Sequence, residues 1–296
     1  MGSFSVLNNI PSVNGQNALT VNNLNLARTL NRLSTGKRIN SGADDAAGLQ
    51  IADSLRGNVM ALNQAIRNAN DGISVLQIAD GALSQVTDLL WRAITLAEEA
   101  ESDIVSSTGR MALQQEFIQI QLEINRIGTD TNFNGQSLFG ANAFTYVDNQ
   151  NGKSGGQYLD IFVGDLAARS YITVSIGALD FNTLAINTSA SPSISSVGNL
   201  EVQNEATLAL DNLREALQKV AVMRGSIGAG MNRLQSAINI IATQSQNTLA
   251  AESTIRDANI AEEISNLTKF QILAQTGIAA LAQANANSQT VLSLLR

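Results

Sequence analysis

Histidine and cysteine are both missing from this sequence, and the two omissions remove most familiar side-chain chemistry. Without histidine no ordinary side chain changes charge near neutrality, and no imidazole is available as a general base or zinc ligand. Without cysteine there is no thiol nucleophile, disulfide or thiolate metal site, so the chain is indifferent to redox compartment and the cell exterior is open to it. Proline occurs only twice, and aromatic residues make up 4% of the 296 residues against 44% hydrophobic in all. That composition suits long uninterrupted helices with apolar material for one or two cored domains. Positive charge is scarce as well: the net charge is −7 and the pI about 4.7, which argues against nucleic acid, whose phosphates require clustered Lys and Arg. No run of about 18 apolar residues is present to span a membrane. The N-terminal MGSFSVLNNIPSV lacks a basic stretch and a sustained apolar core, so it does not read as a secretory signal, and Val6 stands where a myristoylation motif carries Ser or Thr.

What the sequence has is periodicity. Leu55, Val59, Leu62, Ile66, Ala69, Ile73 and Leu76 alternate steps of four and three, and beyond the polar Asp80 the pattern resumes through Leu83, Leu90, Ile94 and Ala97. This predicts one long helix with a narrow apolar seam. Leu113, Phe117, Ile120, Ile124 and Ile127 carry a second seam ending at Gly128. Leu213, Leu217, Val220, Ile227, Met231, Leu234, Ile238 and Ile241 carry a third, interrupted by Arg224. If residues 199–253 are one helix, its length is about 80 Å.

Both ends repeat the theme: Leu19, Leu26 and Leu33 lie seven apart with Leu30 between, and Ile260, Ile264, Leu267, Ala274, Ile278 and Leu281 answer them. A two-stranded pair with Asn23, Gln271 and Asn285 at seam positions is marginal on its own, so the ends are expected to order only on association. Charge is asymmetric too. Residues 1–40 hold Arg28, Arg32, Lys37 and Arg38 without an acid, while the last 46 residues hold Glu252, Asp257, Glu262 and Glu263. This is compatible with pairing of the two ends and equally with solvated faces.

Between about residues 140 and 198 the period changes to two. Leu159, Ile161 and Val163, then Ile172, Val174 and Ile176, alternate with Tyr158, Asp160, Phe162, Tyr171, Thr173 and Ser175, predicting a β-hairpin with one aliphatic face. A Ser/Thr-rich loop, NTLAINTSASPSISS, follows. The fold class expected is mainly α: long antiparallel helices in a coiled-coil-like bundle with a small β-hairpin insert.

Few motifs compete with a structural reading. GSIGAG at residues 225–230 lies inside a helical seam, follows no strand and lacks the Lys-Ser/Thr ending of a phosphate loop, so close helix approach accounts for it better. Asp44 and Asp45 precede Ala46 and Ala47 and read as helix caps rather than half of a metal site. Asn187 and Asn266 each begin an N-glycosylation triplet, and Asn187 is the accessible one. Trp91 beside Leu90 reads as packing or interface. Tyr146, Tyr158 and Tyr171, with Phe162, form a candidate surface for glycans, against the plainer role of covering one hairpin face.

Three longer stretches resemble bacterial flagellin. LSTGKRINSGADDAAGLQIADSL at residues 33–55 is similar to the family's N-terminal signature, and TNFNGQSLF at residues 131–139 to the turn closing its first helical hairpin. IRDANIAEEISNLTKFQILAQTGIAALAQAN at residues 255–285, with VLSLLR at the end, resembles its C-terminal signature. The resemblance covers roughly residues 1–140 and 199–296. Asn259-Ile260 departs from the acidic-aromatic pair of many members, and residues 285–290 lack the usual Leu-Pro.

The resemblance implies three regions: a terminal coiled coil of 1–44 with 255–296, paired on assembly; an outer helical core of 45–142 with 199–254; and a hairpin and loop region of 143–198. It implies a non-enzymatic structural subunit of the flagellar filament, secreted without a cleaved signal through the flagellar type III apparatus, with no cofactor, metal, nucleic acid or membrane insertion. Its partners would be other subunits, hook-associated and cap proteins and an export chaperone. Leu26, Leu30, Leu33, Ile264, Leu267, Ile278 and Leu281 are then the assembly seam, and Lys37, Arg38, Asp44 and Asp45 the joint and helix cap. Where members carry Gln-Arg-x-Arg-Glu-Leu for the animal innate receptor, this chain has Trp91, Arg92, Ala93, Ile94, Thr95 and Leu96. Arg92, Leu96 and Glu116 match, and weak recognition is expected. The alternatives are a hook–filament junction protein and a cell-surface adhesin binding glycans.

Overall fold

The structure, a computed structural model, describes residues 9–140, 158–164, 170–179, 184 and 203–294. The helical seams become α1 (Ile10–Thr35), α2 (Ala46–Glu101), α3 (Ser107–Asp130), α4 (Gln203–Arg256) and α5 (Ile260–Leu294). Among the described residues four short strands, β1 (Asn132–Phe133), β2 (Gln136–Ser137), β3 (Tyr158–Phe162) and β4 (Tyr171–Ser175), form two antiparallel hairpins. The mainly-α architecture with a β-hairpin is therefore observed, and α4, at 54 residues, is about 80 Å long. The chain separates into two compact units, Met1–Val59 with Gln246–Arg296, and Met60–Ser245. Residues 44/45 and 254/255, the expected boundaries, lie within the first. Tyr146, Asn187 and most of the Ser/Thr-rich loop lie outside the described residues.

In the unit 60–245 the core follows the heptad. Leu62, Ala69, Leu76, Leu83, Leu90 and Ala97 are buried along α2, and Leu213, Val220, Ile227, Leu234 and Ile241 along α4. The buried face of α2 is wider than the narrow seam expected. A second stripe, Ala65, Gly72, Ala79, Val86, Ala93 and Ala100, runs beside the first and is equally buried. Small side chains let neighbouring elements approach there, and a reading that seeks large apolar residues passes over them. Phe117, Ile120 and Ile124 bring α3 into the same core. Each fully buried large aliphatic side chain contributes about 1.5–3 kcal/mol, which fixes the bundle far more firmly than helix propensity could.

Local signals set the connections. Ser106 caps α3 by accepting from the Gly109 N–H at 3.2 Å, and Arg110 donates to the Ala100 and Ser102 carbonyls, satisfying the end of α2. After α3 the chain turns through Asn134 and Gly135, at φ 52° and 79°. Positive φ at both central residues is the requirement of a two-residue hairpin turn, which Asn-Gly meets with least strain. In the larger hairpin Leu159 pairs with Val174 and Ile161 with Ile172, and this aliphatic face is buried as the alternation predicts. Gly230 receives it: a Cβ there would lie 2.6 Å from Val174 Cγ2. The GSIGAG run thus sits within α4, and its last glycine admits the hairpin; Gly225 and Gly228 have nothing within 4 Å.

Candidate functional site

The terminal helix pair buries little and leaves much of its apolar surface facing outward. Asn9 caps α1 by accepting from the Ser12 N–H, and α1 packs against α5 within the chain. Gly15 lies against Leu281, and Gly277 against Leu19. Asn22 Nδ2 donates to the Phe270 carbonyl at 2.9 Å, and Arg32 pairs with Glu263 at 3.3 Å. The ends, expected to order only on association, are paired helices in the single chain. What association would supply is cover. Among the described residues of α1 and α5 those that are buried are polar, Asn22, Thr29 and Glu263, whereas Val21, Leu24, Leu30, Ile264, Ile272 and Ile278 are each more than two-fifths exposed.

The predicted seam accordingly divides in two. Leu26, Leu33, Leu267 and Leu281 are half-buried, while Leu30, Ile264 and Ile278 are exposed. Sequence reading missed the stripe Gly15, Asn22, Thr29, seven apart like the leucines beside it, because an apolar template does not register small and polar residues. Three buried side-chain groups among the described residues lack a hydrogen-bond partner: Asn22 Oδ1, Arg32 Nε and Arg256 Nε. All three belong to this unit.

At the joint the segment that follows α1 and the segment that ends α4 satisfy one another's backbone groups. Gly36 ends α1 in the left-handed conformation, φ 69°, and its carbonyl accepts from the Ala258 N–H at 3.0 Å. Lys37 and Asp257 form an isolated antiparallel bridge. Arg38 gives its N–H to the Arg256 carbonyl and its Nη2 to the Ile255 carbonyl, both at 2.7 Å. The guanidinium thus sits at the negative end of α4. Asn259 accepts from the Ala261 N–H at the start of α5, with Glu262 and Glu263 in the first turn, where carboxylates complement the helix dipole.

The adjacent aspartates have separate tasks. Asp45 Oδ1 accepts from the Gly48 N–H at 2.9 Å, the N-cap of α2. Asp44 Oδ2 accepts from the Asn40 and Ser41 N–H groups and the Ser41 hydroxyl, closing the preceding loop. The Ser41 and Asn40 amides hold the Asp44 carboxyl below its ordinary pKa range. Further along α2 and α4, Arg256 pairs with Asp53 at 2.9 Å and approaches Glu252, with Arg56 at 3.9 Å from the same carboxylate. No group of three or more His, Cys, Asp or Glu side chains able to hold a metal occurs among the described residues.

The remaining candidates lie in the other unit. Arg92 and Glu116 are exposed and paired at 2.7 Å. Leu96 departs from the expected contact set: it is fully buried in the core, because it falls on the inward face of α2. Trp91 is 55% exposed, so its ring lies on the surface rather than in the core. Tyr171 is exposed, Tyr158 half-buried, and Tyr171 meets Phe162 edge to face at 5.4 Å.

Comparison with known proteins gives these features a context. The profile of the bacterial flagellin N-terminal helical region matches residues 6–143, and that of the C-terminal helical region matches residues 210–295. The flagellar filament 31.3 kDa core protein of Treponema maltophilum is 34% identical over 97% of this chain and 98% of its own length. Bacillus subtilis flagellin is 35% identical, with the same coverage. A solved Vibrio parahaemolyticus chain, assigned as a flagellar hook-associated protein, matches 72% of this chain and all of its own at a TM-score of 0.56. Its 15% identity carries the fold alone. With both helical regions matched and relatives aligned nearly end to end, the chain belongs to the bacterial flagellin family.

Proposed function

We infer that this chain is a structural subunit of the flagellar filament, adding to a helical polymer of its own copies through the outward apolar faces of α1 and α5. The observation that carries this reading is the outward aliphatic face of the terminal pair, where Val21, Leu24, Leu30, Ile264, Ile272 and Ile278 are exposed. Exposed aliphatic side chains in that number leave burial unrealised in one chain, at about 25 cal/mol per Å² of apolar surface. Identical helices from neighbouring copies cover such faces without a second kind of partner. Family membership supports export to the extracellular flagellum by the type III route, and hook-associated proteins, the filament cap and an export chaperone as further partners.

The filament reading is favoured over a junction protein or an adhesin because the relatives aligned nearly end to end are flagellins and filament core proteins. Seeded sedimentation tests it. The full chain should pellet with seeds, and a chain lacking residues 1–40 and 255–296 should remain soluble and folded. A truncated chain that elongates seeds contradicts the reading.

A further inference from the structure

The long seams of α2 and α4 raise a problem of register. Both are heptad-periodic, and such seams admit alignments seven residues apart with similar apolar burial. The observed alignment is antiparallel: Ser245 meets Asn63 and Thr207 meets Glu101. Within the middle of the paired segment each helix carries one charge in its half-buried aliphatic stripe. On α2 the stripe Ile66, Ile73, Asp80 carries the carboxylate, and on α4 the stripe Leu217, Arg224, Met231, Ile238 carries the guanidinium. These two interruptions meet: Arg224 Nε donates to Asp80 Oδ1 at 2.9 Å, with side chains 38% and 35% exposed.

We propose that Asp80 and Arg224 select the axial register of α2 against α4. Displacement by one heptad, about 10 Å, would set Arg224 opposite Ile73 or Thr87, and Asp80 opposite Leu217 or Met231. Each half-buried charge would then leave its present partner while the aliphatic layers re-formed elsewhere. The pair acts chiefly by penalising alternatives, as a single polar residue does in a coiled-coil seam. The proposal concerns the single chain and stands apart from polymerisation.

Because the chain lacks cysteine, spin labels at Gln85→Cys and Gln235→Cys, both exposed positions, report the register of the full-length protein by pulsed dipolar spectroscopy. The parent chain and the exchange Asp80→Arg/Arg224→Asp should each give one distance. Asp80→Leu/Arg224→Leu should give a second population displaced by about 10 Å, and so should Arg224→Leu alone. A single distance in both leucine variants overturns the proposal, because packing alone would then fix the alignment. An exchange variant that splits like the leucine variants also overturns it. So does unfolding of the double-leucine chain while the exchange variant stays folded, since the pair would then be a stability element.

Discussion

Arg38 reaches across the joint to Ile255, its Nη2 donating to a carbonyl that the end of α4 leaves open, at 2.7 Å. The contact joins residues 217 apart in sequence, and it lies where α1 stops and α5 begins. Arg38→Ala should therefore loosen the joint by about 0.5–1.5 kcal/mol, a modest figure because the side chain is exposed. Hydrogen exchange at the Arg38 and Ala258 amides should quicken about two- to tenfold, with Arg38→Lys intermediate. Unchanged exchange at both amides would mean the backbone bridge suffices.

Asp45→Ala should cost about 0.5–2 kcal/mol through the lost cap on α2, and Asp45→Asn, which keeps an oxygen for the Gly48 N–H, should recover most of it. Gly48→Ala should damage the same place by another route, since its Cβ would lie 2.8 Å from Ile39 Cδ1. Thermal melts of the three variants check the order. Asparagine as harmful as alanine at residue 45 would give the carboxylate a role beyond capping.

Asp44 makes a prediction in pH. Its folded pKa lies below the ordinary 3.8, chiefly because the Ser41 N–H stabilises the ionised form. As pH falls the unfolded chain takes the proton first, so the carboxylate's contribution is complete above about pH 5 and is lost as pH drops through the folded value. Melts from pH 7 to pH 2.5 should show the parent chain ahead of Asp44→Asn at neutrality and converging with it in acid. A constant gap would place the effect elsewhere.

Leu83→Ala should destabilise the unit 60–245 by about 2–5 kcal/mol, because Leu83 is fully buried in the α2 stripe and the rigid helices around it collapse poorly onto a void. Equilibrium denaturation gives the number. A loss below about 1 kcal/mol would show that the core at this level is loosely packed.

The sequence displays what is periodic and apolar. Leu62 to Ala97 on α2, Leu213 to Ile241 on α4 and the alternation of Leu159, Ile161 and Val163 announce their elements and buried faces, because burial of large side chains imposes those spacings. It hides what depends on a partner far along the chain. Asp80 and Arg224 read as two unrelated flaws until the fold joins them. Gly15, Asn22 and Thr29 repeat every seven residues without hydrophobicity, and so did not mark the inner face of α1. Leu30 and Leu33 are alike in sequence, yet the first is exposed and the second half-buried, a difference set by the rotation of α1 against α5.

That outward leucine gives the central claim its sharpest test, electron microscopy of seeded full-length chain carrying Leu30→Asp with Ile278→Asp. Both side chains are about half exposed in the single chain, so the substitutions should leave monomer melting within a few degrees of the parent; each would bury a charge in every subunit contact of a polymer. The parent should give long filaments and the variant none. Filaments of equal length from both, or a parent chain that never elongates seeds, would contradict the claim.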